Sequence, residues 1–162
     1  MKTLYLIRHA KSSWEFDLPD DKRPLNNRGL NDAELIGEHL KTLIKPIDKV
    51  LCSPAERAYS TAKIILSHLE IDDSVFSLEP DLYDFGGHKV IEVIKNCDDD
   101  VDTLMIFGHN HAFTSIANLF GSESIDNLPT AGVVCIEFKE NNWKDITVGK
   151  NLLTIFPKSL KK

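Results

Sequence analysis

Short apolar runs rich in β-branched residues alternate along this chain with longer stretches of helical period, the pattern of an α/β fold on a mostly parallel sheet. Strands are predicted near 3–8, 48–53, 75–78, 103–107 and 132–138, with a last one around 143–149. Helices are predicted near 27–44, 54–69, 88–96 and 111–120. The first places Leu30, Ala33, Ile36, Leu40 and Leu43 on one face and stops before Pro46. The second has the sharpest start: Ser53 reads as N-cap, Pro54 as the first helical residue and Glu56 as the third, a capping box that puts Arg57 in the first turn. No internal repeat interrupts the pattern, and 162 residues fit one domain, 1–162, around a single core.

Composition removes several classes of function. A net charge of −6 without a basic stripe excludes general nucleic-acid binding. The opening apolar run is short and ends in charge, so it is no secretion signal, and no segment approaches membrane-spanning length. Cys52, Cys97 and Cys135 are odd in number and lack metal-type spacing, which fits free thiols in a reducing cytoplasmic setting. The closing lysines Lys158, Lys161 and Lys162 read as a solvated tail.

The chemistry gathers at predicted strand ends. Thr3–Ile7 runs straight into Arg8-His9, Arg57 sits one turn into the helix after the second strand, and His109 follows the run Thr103–Phe107. Parallel strands bring their carboxyl ends to one edge, where ligands of open α/β sheets bind, so these distant residues can meet. Each has an ordinary explanation alone: Arg57 could pair with Glu56 or Glu38, and Gly108-His109-Asn110-His111 could be a turn. Yet a cation at a helix N-terminus opposes the macrodipole, and an anionic ligand there would remove the conflict. The Asp17–Asn27 stretch is long enough for a flap or a solvated connection.

The segments L-I-R-H-A-K-S, R-P-L-N-N-R-G, C-S-P-A-E-R-A-Y-S-T-A and F-G-H-N-H, in this order from Leu4 onward, resemble the histidine phosphatase superfamily. The short length and the R-H-A-K-S variant look most like its SixA-type phosphohistidine phosphatases. The resemblance implies a three-layer α/β/α fold of the phosphoglycerate mutase-like kind. It also implies a pocket in which His9 accepts the phosphoryl group while Arg8, Arg57 and His109 hold its oxygens, with no cofactor. Many members place an acidic residue after the third strand. Asp84 in P-D-L-Y-D-F-G-G best resembles it, with Glu79 and Asp81 as rivals and Asp-Gly turn chemistry as the ordinary alternative.

The residue types suit that chemistry independently. Phosphoryl transfer spreads charge over equatorial oxygens, which guanidiniums and an imidazole N–H can stabilise, and a neutral His9 can attack. Lys11 and Ser12 are placed to touch a phosphate oxygen or the substrate rim. Asn110 reads as a helix cap, and His39, His68, His88 and His111 carry no role; His109-x-His111 has no third partner for a metal. A cysteine-based phosphatase needs C-x5-R, and the residue at that spacing from Cys52 is Ala58. The expected partner is a phosphorylated protein, specifically its phosphohistidine. A small-molecule phosphomonoesterase and a non-catalytic phosphoprotein-binding module remain as alternatives.

Overall fold

The computed structural model describes residues 1–44 and 46–161. Its centre is one six-stranded sheet made of β1 (Lys2–Arg8), β2 (Lys49–Cys52), β3 (Phe76–Leu78), β4 (Thr103–Gly108), β5 (Val133–Phe138) and β6 (Lys150–Ile155), in the spatial order β3-β2-β4-β1-β5-β6. The β2–β3, β2–β4 and β1–β4 pairs are parallel, whereas β5 and β6 join antiparallel at one side. The helices are α1 (Asn27–Leu40), α2 (Glu56–Leu69), α3 (His88–Lys95), α4 (Ala112–Phe120) and the short α5 (Pro157–Leu160).

Period-two alternation on the strands makes the three layers. Leu4 and Leu6 of β1 pack with Val90 and Ile94 of α3 and Phe113 and Ile116 of α4. Tyr5 and Ile7 face the other way, toward Ala33, Ile36 and Leu40 of α1 and Ala62 and Ile65 of α2. Strands buried on both faces need apolar residues throughout, which is why β1 and β4 lack polar alternation.

Four expectations need correction. The last strand begins at Lys150, not near 143: Trp143 is fully buried in a single 3₁₀ turn, its indole N–H donating to Val101 O at 2.7 Å, and the alternating segment follows it. The α1 helix ends at Leu40, and its buried face is one residue out of phase with the predicted one at its start. Gly29, Asp32, Ala33, Ile36, Gly37 and Leu40 are inside, while Leu30 and Leu43 are exposed. The α2 helix starts at Glu56 with Ala55 as its cap, so Ser53 is free for another task. Lys161 is exposed, as a tail residue should be, but is not free: its Nζ forms a 2.8 Å ion pair with the buried Asp32 of α1; Lys162 lies outside the described residues.

The loop after β1 is held close to α1. Asn26 N donates to Lys11 O at 3.0 Å, and a Cβ on Gly29 would come within 2.0 Å of that same carbonyl oxygen, so glycine is required there. The Asn26 side chain caps α1 by accepting from Gly29 N at 2.8 Å.

Candidate active site

Pairing between neighbouring strands continues just past their carboxyl ends. Ser53 N donates to Phe107 O at 3.0 Å, and His9 N donates to Gly108 O at 3.1 Å. This register sets the rings of His9 and His109 5.2 Å apart between centroids, although one hundred positions separate them in sequence. Ala10 N donates to Thr61 Oγ1, whose hydroxyl in turn donates to Arg57 O, so α2 clamps the loop carrying His9. Arg8, His9, Lys11, Ser12, Arg57 and His109 all line one cavity of about 460 Å³. The strand-end convergence inferred from parallel topology is thus what the structure contains.

The histidines are held in defined states. His9 Nδ1 lies 2.7 Å from Ala10 O, a carbonyl that can only accept, so Nδ1 carries the proton and Nε2 keeps its lone pair. Burial pushes the His9 imidazolium pKa down, and the charges of Arg57, Arg8 and Arg23 push it further, to about 3. The ring is therefore neutral near pH 7. His109 Nε2 lies 2.8 Å from Ser53 Oγ, which already accepts the Ala55 N–H. The Ser53 hydrogen is then free to donate to Nε2, and in that tautomer the remaining proton sits on Nδ1, a buried atom with no partner among the described residues. Burial, the neighbouring His9 and Arg57 lower the His109 pKa to about 3 as well.

The arginines keep unused capacity. Arg8 donates from Nη1 to Leu128 O at 3.0 Å, but its Nε and the Nε of Arg57 are buried without partners. Burial and the charge of Arg57 lower the Arg8 pKa. Donors of this kind are costly to leave unmet, and a bound anion meets them.

These features coincide with a recorded sequence family. Residues 4–87 match the histidine phosphatase superfamily (branch 1). The chain is also 33% identical over 153 residues to an uncharacterised Mycobacterium tuberculosis protein, an alignment covering 88% of this chain and 93% of that one. This chain belongs to the histidine phosphatase superfamily. Two solved structures share its fold. One is an Agrobacterium tumefaciens protein assigned as a phosphohistidine phosphatase, SixA, with TM-score 0.81 at 21% identity over 96% of this chain and 98% of that one. The other is a protein histidine phosphatase SixA complexed with tungstate, with TM-score 0.78 at 20% identity over 98% and 99%. The fold is the phosphoglycerate mutase-like one, and superfamily membership makes phosphatase chemistry the class of reaction. His109 lies beyond the matched stretch, and it is β4 pairing that brings it to His9.

Asp84 does not join the other histidine phosphatase residues. Its carboxylate accepts backbone N–H groups from Gly86, Gly87, Lys89 and Val90 at 3.0–3.3 Å, which secures the start of α3, and it does not line the cavity. Partial burial raises its pKa, but those N–H bonds outweigh burial and hold it below the ordinary range. The general-acid expectation is corrected accordingly: the residue after the third strand is a helix-start carboxylate. The rivals Glu79 and Asp81 line a different groove with Lys49 and Cys97.

The same segment contributes aromatics instead, for Tyr83 and Phe85 meet the His109 ring edge-on at 5.3 and 5.1 Å between centroids. Asp20, Arg23 and Ser53 are the residues that sequence reasoning missed. Arg23 lines the cavity, donates from Nη1 to Ser12 Oγ at 2.6 Å and lies 3.6 Å from the Trp14 ring centroid. It stands in R-P-L-N-N-R-G, a segment that marked the family without revealing the side chain's direction. Asp20 comes from the Asp17–Asn27 stretch, and it is the partner of Arg57 in place of Glu56 or Glu38. Asn110 does serve the start of α4, accepting from Thr114 N at 3.1 Å.

Proposed function

We propose that this protein is a phosphatase that passes the phosphoryl group of a protein phosphohistidine to His9 Nε2 and then to water. The observation that carries the reading is the His9 ring: neutral, fixed in its tautomer by Ala10 O and set among three guanidiniums. His9 Nε2 attacks phosphorus as the bond to the substrate nitrogen breaks, while Arg8, Arg57 and the His109 Nδ1–H take up the developing charge. Lys11 lies at the rim, able to meet an outer oxygen. A water then attacks phosphorus, releasing inorganic phosphate and restoring neutral His9.

The choice of phosphohistidine follows from what the site lacks. Asp20 is the sole carboxylate among the described lining residues, and it is held ionised by Arg57, Arg23 and Tyr83. A site without a ready acid suits a leaving group that departs as neutral imidazole when its far nitrogen already carries a proton, and suits an alkoxide poorly. Trp14 and Phe85, 75% and 47% exposed, flank the charged cavity with apolar surface of the kind that a protein partner covers. No described helix is long and apolar enough to cross a membrane, and the free thiols Cys52, Cys97 and Cys135 support the cytoplasm as the setting.

The test is turnover of a phosphohistidine-bearing protein against alkyl and activated aryl phosphates. The reading expects the phosphoramidate and the aryl ester to be hydrolysed and the alkyl ester to lag by orders of magnitude. Preference for alkyl phosphates would favour a small-molecule phosphomonoesterase. Binding without turnover of any substrate would favour a phosphoprotein-binding module.

A further inference from the structure

The cavity already contains an anion of its own. Asp20, on a single 3₁₀ turn (Asp20–Lys22), lies across the cavity. Arg57 Nη2 donates to its Oδ2 at 2.9 Å and Arg57 Nη1 to its backbone O at 2.6 Å. Arg23 donates from Nε and Nη2 to Oδ1, both at 3.3 Å, and the Tyr83 hydroxyl donates to Oδ2 at 2.6 Å. Two guanidiniums and a phenol around two oxygens resemble half of a phosphate seat.

We propose that Asp20 is an internal competitor of the phosphoryl group: it holds Arg57 and Arg23, and an incoming phosphoryl anion must displace it. The proposal rests on the phosphatase reading of the same cavity and adds a determinant of its affinity and selectivity. Other consequences of the geometry agree with it. The Asp20–Lys22 turn has no buried residue and no side-chain cap, so apart from its own backbone bonds, Lys22 N to Pro19 O at 2.9 Å and Arg23 N to Asp20 O at 3.3 Å, these polar contacts are what hold it in place. The Asp20 carboxylate is 45% exposed, whereas the Arg57 and Arg23 side chains are 3% and 8% exposed, so the acid is the partner with open space to swing into and the cations are enclosed. Burial would raise the Asp20 pKa, yet the bonds from Tyr83, Arg57 and Arg23 bring it to about 2, which leaves it a carboxylate and no proton donor.

Displacement selects among anions. A small carboxylate offers the guanidiniums no more than Asp20 already supplies, while a phosphoryl group brings more charge and three oxygens that also reach Arg8 and His109. Because only the displaced state accepts phosphate, the apparent affinity is reduced by the fraction of molecules in that state.

Calorimetric titration of inorganic phosphate into the full chain tests this with Asp20→Ala and Tyr83→Phe. The latter weakens the latch without removing charge. Phosphate should bind the Asp20→Ala protein on the order of fivefold more tightly than wild type and the Tyr83→Phe protein about twofold more tightly. Acetate should compete with phosphate in Asp20→Ala, by refilling the carboxylate position, more than chloride does at equal ionic strength, and should not do so in wild type. Equal or weaker phosphate binding by Asp20→Ala overturns the proposal. So does tighter binding by Asp20→Ala with Tyr83→Phe unchanged and acetate no better than chloride, the result of simple charge repulsion. Failure of wild type to bind phosphate at all would instead overturn the anion site and the function built on it.

Discussion

Strand β1 carries a cation at each end, Lys2 buried and Arg8 half-buried, and the two ends treat it in opposite ways. At the amino end, Lys2 is 1% exposed and its Nζ donates to Asp99 O at 2.6 Å, Val101 O at 3.0 Å and Asp102 Oδ1 at 3.1 Å. All three ammonium protons find acceptors, so nothing is left for a ligand. At the carboxyl end, Arg8, Arg57 and His109 crowd together with Arg8 Nε, Arg57 Nε and His109 Nδ1 buried and unpartnered. Burial of a charge stabilises a fold only when its hydrogen-bonding capacity is met; where it is left unmet, as around His9, the arrangement is held by the surrounding sheet and completed by what binds.

Mutation of one cation at each end should separate rate from stability. Arg57→Ala should lower kcat/KM by roughly 10²–10³-fold, the usual cost of losing a transition-state donor, and should cost less unfolding free energy without ligand than Lys2→Met, because the lost bonds to Asp20 are offset by removal of a cation from a helix N-terminus. The removed charge also relieves Arg8 and His9, whose pKa values it depresses. A large loss of stability with normal phosphate affinity would make Arg57 a structural residue like Lys2.

Acid should find the carboxyl end first. His9 and His109 fall from an ordinary 6.5 to about 3 in the folded protein, so the unfolded chain binds more protons between those values. Their contribution to stability is fully present above pH 6.5 and is lost as pH falls toward 3, by at most about 1.4 kcal/mol per pH unit for each ring. Asp20, lowered from 3.8 to about 2, adds its own loss of stability below about pH 4, outside the range from 7 to 4.5. Denaturant midpoints measured from pH 7 to 4.5 should decline less steeply in His9→Gln than in wild type; parallel curves would mean that the His9 ring is not held neutral.

Lys2→Met should do the reverse of Arg57→Ala. It strands the Asp99 and Val101 carbonyls and should cost about 1–3 kcal/mol in unfolding free energy, with kcat and KM unchanged. A change in either kinetic constant would show that the two ends of β1 are coupled.

How far this contrast could be read from sequence depends on the range of the interactions. The Arg8-His9 dipeptide, Arg57 in a first helical turn and His109 after a strand are local facts, and parallel pairing supplies their meeting point. The direction of Asp20 and Arg23 depends on how the 17–25 segment crosses the sheet edge, and no local pattern encodes it. Ser53 misled because a hydroxyl before Pro54 has two uses: it satisfies the capping pattern, but the fold gives it to Ala55 N and His109 Nε2 instead. Trp143 misled in the other direction, an apolar residue buried by a turn rather than by a strand. Asp84 stands where an acid was expected, and only its four N–H donors reveal that its oxygens are already committed.

The smallest expected effect belongs to Asp84. Asp84→Ala should cost about 0.5–2 kcal/mol of stability through the loss of the α3 start, and leave the ratio of alkyl to aryl phosphate turnover unaltered. A selective loss on alkyl phosphates would return Asp84 to the site as the proton donor.

The central claim is that His9 becomes phosphorylated. Rapid quenching of the wild-type protein during turnover of a radiolabelled phosphohistidine protein, followed by peptide mapping, tests it directly. The account predicts a covalent label that survives alkali, is lost in acid, maps to the peptide containing His9 and is absent from His9→Ala. Turnover with no trapped label under single-turnover conditions, or an acid-stable label on another residue, would contradict it.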